Sequence, residues 1–213
     1  MILKILQIIP DLNKGGAERL TLNICNELTK ITEVQVKLVT FRPDNLYPDL
    51  TKEIDWQVIP AYYKPSLSSQ SISETNELRA FIEAYQPDII HSHLFESEMV
   101  SRNVLYDKAV YFTHCHDNMK QFENLHLSTF LNKQLATNYM EKQLLLKQYA
   151  KTKKNYFITV SKHSESFFRS VLPRHLNKNI IKMANAIDFS YFNEACVPGR
   201  TDRNYCRFRW LDG

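Results

Sequence analysis

A chain of 213 residues, 44% of them hydrophobic, is long enough to bury a core of its own, and a mean hydropathy of −0.37 argues for a soluble protein. The net charge of +4 suits anionic ligands but falls well short of a nucleic-acid-binding signature. Cys25, Cys115, Cys196 and Cys206 show no paired metal spacing, and the N-terminal apolar run ends at Pro10, too short for a signal segment or a membrane span; reduced thiols in a cytoplasmic protein are expected.

Taken in chain order, the apolar run Ile2 to Ile9 reads as a buried strand. A Gly15-Gly16 turn follows, then a helix over about 17–29 with Ala17, Leu20, Ile24 and Leu28 on one face. Only four glycines occur, so a pair in one turn marks a place where side chains would interfere. Strand, glycine turn and helix let backbone N–H groups and the positive end of a helix dipole face an anion. The plainer alternative is a tight turn that needs positive φ.

Val34 to Val39 alternates at period two and reads as a second strand; Trp56 to Ile59 makes a third. A Ser/Pro-rich loop from Tyr62 to Ser71 precedes a helix carrying Leu78, Phe81, Ile82 and Tyr85. Ile89-Ile90 starts a fourth strand ending near His91, and Val110 to Phe112 a fifth ending near His114. The stripe Phe95, Met99, Val100 and Val104 between them reads as a core-facing helix. A long helix is expected over roughly 126–152, with Lys147, Lys151, Lys153 and Lys154 forming a solvated last turn. Weak contact of this basic end with the inner face of a membrane is the alternative. Tyr156 to Val160 is a sixth strand, Ser161 N-caps a helix that Pro173 ends, and Ile180-Ile181 is a last strand before Asn185.

This alternation predicts an α/β fold, a Rossmann-like parallel sheet with helices on both faces. Such sheets bind ligands beyond the carboxyl ends of their strands. Gly15, Gly16, His91, His93, His114, His116, Ser161 and Asn185 all follow strands and are expected along that rim. His91-x-His93 and His114-x-His116 raise the alternative of a metal held by four imidazoles. The pairs begin where the strands end and no carboxylate completes them, so no metal is expected. Cys115, between two histidines, reads as a buried inert thiol rather than a nucleophile.

Several stretches together resemble the glycosyltransferases of family 4: Lys4 to Pro10 followed by Asn13 to Arg19, Pro87 to His93, Phe112 to Asn118, Ile158 to Ser161, and Asn185 to Asp188. The resemblance covers about residues 1–192 and implies the N-terminal half of a two-domain GT-B fold. In that family the first domain generally holds the acceptor and the second most of the nucleotide-sugar. Transfer is retaining and needs no metal or further cofactor. By resemblance, Gly15 and Gly16 approach the donor diphosphate, and His116 stands near the reacting sugar as the catalytic residue. Asp117 and Asn118, with His91 and His93, shape the acceptor pocket, and Asn185 marks the crossing into the second domain.

The chain departs from the family after Asp188. A second domain of typical size needs about 170 further residues, and residues 193–213 read instead as an irregular basic tail. Arg200, Arg203, Arg207 and Arg209 crowd there, while every lysine lies at or before Lys182. A truncation or frameshift remnant is favoured over an ordinary basic tail. The expected function is therefore the acceptor-binding half of a retaining hexosyltransferase, inactive alone and prone to self-association through an exposed cleft face. Its partners are a nucleotide-sugar and a glycan, lipid-linked or small-molecule acceptor. The alternative is a non-catalytic sugar- or phosphate-binding module.

Overall fold

The computed structural model describes residues 2–65, 72–122 and 132–185. In chain order its elements are β1 (Leu3–Ile9), α1 (Gly16–Leu28), β2 (Val34–Thr40), α2 (Pro48–Thr51), β3 (Trp56–Val58), β4 (Tyr62–Lys64), β5 (Ile72–Glu74) and α3 (Asn76–Tyr85). They continue as β6 (Ile89–His93), α4 (Leu94–Val104), β7 (Val110–Cys115), α5 (Lys133–Lys151), β8 (Asn155–Thr159), α6 (Lys162–Val171) and β9 (Ile180–Lys182). Seven strands form one parallel sheet in the order β3-β2-β1-β6-β7-β8-β9. The chain builds away from β1 on one side, then returns to its other side with β6. That reversal opens a crevice past the carboxyl ends of β1 and β6.

Successive strand residues point to opposite faces, so β1 serves two layers. Ile5 and Ile9 join Val36 and Leu38 against Leu22 and Cys25 of α1. Leu6 and Ile8 join Val39, Ile90 and Tyr111 against Leu78 and Ile82 of α3 and Val100 and Val104 of α4. Helices thus cover both faces, as the strand–helix alternation predicts. A third cluster gathers Cys115 and Phe157 with Leu145 and Tyr149 of α5, Phe168 of α6 and Leu172 just past it. Ser161 caps α6 reciprocally: its hydroxyl accepts from the Ser164 amide, and the Ser164 hydroxyl accepts from the Ser161 amide, each at 3.1 Å.

Beneath α4 lies a feature that the apolar stripe does not announce. Arg102 and Glu98 are both fully buried, paired at 2.9 Å between Nε and Oε1. Glu98 also accepts from the hydroxyls of Thr113 and Ser92. Arg102 donates to Thr113 and Asn155 and lies between the Tyr111 and Tyr149 rings, 4.5 and 5.0 Å from their centroids. Every lobe of the guanidinium thus has a partner, which is the condition for keeping such a charge out of water.

Four expectations need revision. The strands β6 and β7 run further than their apolar residues, so His91, His93 and His114 sit inside strands rather than after them. The Ser/Pro-rich loop is flanked by a two-stranded antiparallel pair, β4 with β5. Neither Gly15, with φ of −164°, nor Gly16 takes the left-handed conformation that a turn glycine would need. The helix expected over 126–152 is described from Lys133, with Asn132 accepting from the Gln134 and Leu135 amides as its cap; residues 126–131 lie outside the described residues. Lys147, Lys151, Lys153 and Lys154 are exposed, as a solvated helix end should be. The tail 193–213, with Cys196 and Cys206, also lies outside the described residues. Among those described, no helix is long and apolar enough to cross a membrane.

Candidate functional site

Because residues two apart on a strand share a face, β6 and β7 present their imidazoles together, with His93 opposite His114 in register. Ring centroids are 4.3 Å apart for His91 and His93, 5.3 Å for His91 and His114, and 5.1 Å for His93 and His114. His116, just past β7, stacks on His114 at 4.3 Å. Removal from water disfavours the charged rings, and neighbouring imidazoles add to the effect at the first three. His91 is pushed down to about 3, His114 to about 2, His93 well below its usual value, and His116, by burial, to about 4. All four are neutral near pH 7.

Neutrality fixes the direction of a hydrogen-bond relay. His93 Nε2 lies 2.8 Å from Gln7 Oε1, an acceptor, so that nitrogen carries the proton. His93 Nδ1 is then a lone-pair nitrogen, and His116 Nε2 donates to it at 3.1 Å. The relay runs from beyond β7 through β6 to β1, and it leaves His116 Nδ1 as a lone pair. An imidazole so poised accepts a proton or a hydrogen bond from a hydroxyl rather than donating one. Leu94, directly after His93, has φ of 68°. A leucine held in this region is backbone strain, here at the strand–helix junction of the site.

The glycine turn follows β1 at the same edge. Its loop is stitched to the loop after β2: the Phe41 and Arg42 amides donate to the Pro10 carbonyl, Leu12 to Asp44, and Leu46 to Leu12. The Arg42 side chain adds a clamp, donating to Asp11 at 2.9 Å and to both oxygens of Glu96 at 2.8 Å. The Gly15 N–H is already engaged by the Tyr47 hydroxyl at 3.0 Å. A methyl group at Gly15 would strike the Glu18 carboxylate, whereas one at Gly16 would meet nothing within 4 Å. Burial and the nearby Asp11 raise the Glu18 pKa. Space for a side chain is therefore open at Gly16, whereas Gly15 is held by its own fold.

The other expected residues fall around this core. Asp117 is exposed. Asn118 places Nδ2 2.9 Å from His163 Nε2, tying the segment after β7 to α6. Ser161 acts as the α6 cap, and Asn185 is exposed beyond β9. A pocket of about 270 Å³ opens beside the start of α4, lined among others by Tyr62, Tyr63, Lys64, Phe95, Gln121 and Glu141.

Tyr47, Arg42 and Glu96 lie in no motif; Gln7 falls within the Lys4 to Pro10 stretch, where only its polarity inside an apolar strand marks it.

A family model described as Glycosyltransferase Family 4 matches residues 14–188. No protein of curated function matches the sequence. Among solved structures the chain is similar to a glycosyltransferase from Rickettsia africae, with TM-score 0.59 and 18% identity over 93% of this chain and 47% of that one. It is similar to a sucrose-phosphate synthase from Thermosynechococcus elongatus, with TM-score 0.55 and 14% identity over 85% of this chain and 48% of that one. A UDP-GlcNAc 2-epimerase from Neisseria meningitidis gives TM-score 0.52 and 13% identity over 86% of this chain and 47% of that one. The chain thus spans about half the length of these structures, and at such identities the likeness speaks for the GT-B fold alone. The match of the family model over most of the sequence goes further: the chain belongs to glycosyltransferase family 4.

Proposed function

We propose that this chain is the acceptor-side domain of a retaining, nucleotide-sugar-dependent glycosyltransferase, and that His116 is its catalytic residue. The observation that carries the reading is the Gln7–His93–His116 relay. It holds one neutral imidazole at the rim, oriented by two partners, at the switch point where open α/β sheets take ligands. His116 Nδ1 accepts a hydrogen bond from a sugar or acceptor hydroxyl and steadies it for transfer. The Gly16 end of α1 receives the donor diphosphate; the Glu18 carboxylate, which lies over Gly15, swings aside as the anion arrives. Gly15 supports that end through Tyr47 rather than touching the phosphate.

The pocket beside α4 is the acceptor seat in this reading. Tyrosine rings supply apolar faces for a sugar ring, and Lys64, Gln121 and Glu141 supply hydrogen bonds for its hydroxyls. Asp117 and Asn118, just past β7, add polar groups for the acceptor. One wall neither excludes water nor fixes a donor, so a polypeptide of these 213 residues gives no transfer above background. It acts only when a donor-binding domain faces it.

The test joins this domain to a donor-binding domain of the same family and measures transfer from nucleotide-sugars to glycan and lipid-linked acceptors. Turnover that needs both halves and falls in His116→Ala supports the proposal; robust turnover by the isolated chain refutes the division of labour. The alternative, a non-catalytic sugar- or phosphate-binding module, is favoured if the joined protein binds nucleotide-sugar without ever transferring it.

A further inference from the structure

We propose that His91, His93 and His114 form a buried binding site for a divalent transition-metal ion of the zinc class. One ring nitrogen from each lies within 4.8 Å of the others, and the three residues are 7%, 0% and 4% exposed. His91 Nε2 and both ring nitrogens of His114 have no hydrogen-bond partner among the described residues. Buried polar atoms almost always find partners. One cation takes up the orphaned His91 Nε2 and one of the two His114 nitrogens together, which no single side chain here does.

The donor set fits this ion class. Imidazole is a common ligand of zinc and of its neighbours cobalt, nickel and copper, and three histidines with an open fourth position make a known kind of zinc shell. A metal–nitrogen distance of about 2.0–2.1 Å asks each nitrogen to move inward by roughly 1 Å or less, within reach of ring rotation on fixed strands. The sequence-based objection, that the histidine pairs start where the strands end, does not hold: all three residues lie within β6 and β7. His93 also has the outer partner that ligating histidines usually carry, since Gln7 holds its Nε2–H at 2.8 Å. Its remaining lone pair, on Nδ1, is the one that takes the His116 N–H. The ion and that hydrogen bond compete, so metal occupancy releases His116 from the relay.

The full chain, made without a histidine tag and stripped with a chelator, is titrated with Co²⁺ while ligand-field absorption is read, then with Zn²⁺ as competitor. One ion per chain is expected. His114→Gln should weaken binding by about 100-fold or more, at least the upper end of what losing an outer partner costs. His163→Gln, at an exposed ring bonded to Asn118, should leave binding unchanged. His91→Gln is a second ligand variant, and circular dichroism reports whether each variant folds. No Co²⁺ spectrum from the parent chain, or equal affinity in folded His114→Gln and His91→Gln, overturns the proposal. Where neither variant folds, the parent's histidine ring NMR signals decide. Zn²⁺-induced shifts at His91, His93 and His114 support the site; shifts confined to His163 or His175 sink it.

Discussion

The Tyr47 hydroxyl holds Gly15 from both sides, accepting from its N–H at 3.0 Å and donating to its carbonyl at 2.9 Å. A residue in the loop after β2 therefore sets the geometry of the turn after β1. Tyr47→Phe removes both bonds while keeping the ring, and should cost about 1–2 kcal/mol in urea unfolding. An unchanged midpoint would mean that the loop-to-loop amide bonds suffice without it.

Gly16 should behave in the opposite way. Nothing stands within 4 Å of its missing side chain, and alanine is a better helix former than glycine by up to about 1 kcal/mol. Gly16→Ala is expected to keep or raise stability. In a two-domain form that turns over, it should raise KM for the nucleotide-sugar by about tenfold or more by obstructing the phosphate's approach. Kinetics and melting on the same sample separate the two effects, and an unaltered KM would remove Gly16 from the donor site.

In that same two-domain form, His116→Ala should lower turnover by about 10²-fold or more, the usual scale for a positioned proton-transfer or charge-stabilising group. Gln7→Leu leaves His116 in place but frees the His93 tautomer, so a smaller loss is expected. Steady-state rates of the two variants rank the links of the relay; a larger loss in Gln7→Leu would place the essential group elsewhere.

The buried pair under α4 predicts an asymmetry. Glu98→Ala strands an unpaired guanidinium in the core and should cost about 3–5 kcal/mol. Replacing Glu98 and Arg102 together by Leu and Met should recover most of that loss. Denaturant titrations of the single and double variants measure the coupling directly.

Cys25 and Cys115 should resist alkylation in the folded chain. Burial pushes the Cys25 thiol up to about 12 and the Cys115 thiol well above its usual value, helped there by Glu98 and Asp117. The nucleophile is the thiolate, so labelling of Cys25 should stay negligible as pH rises from 7 to 9 and appear only on unfolding. Peptide mass spectrometry after a timed pulse of reagent checks this, and rapid native labelling of Cys115 would restore it as a candidate nucleophile.

Much of the architecture was legible because it rests on periodicity. All seven sheet strands and the stripes of α3 and α4 follow from apolar spacing, and the Ser161 cap from its residue type; α1 instead buries Thr21, Leu22 and Cys25, a face offset from the expected Ala17, Leu20, Ile24 and Leu28. What escaped was polar and non-local. Apolar periodicity stops at a histidine, yet neutral rings can continue a buried strand, as His91, His93 and His114 do. Gln7 looked like an interruption of β1, although its amide meets a histidine 86 residues away. Glu98 and Arg102, four apart on a helix, match an ordinary solvent-facing ion pair. Only the crossing of β6, β7 and α5 turns them inward. Tyr47 carries no motif at all.

Glu18 leaning over Gly15 gives the mouth of α1 a resident tenant. Any phosphate that lodges there must evict a carboxylate already seated beside it, so occupancy is an exchange of one negative group for another. Tightness is then governed by how readily Glu18 can be rehoused, and its replacement by glutamine would tune the doorway without altering a single contact made by the guest.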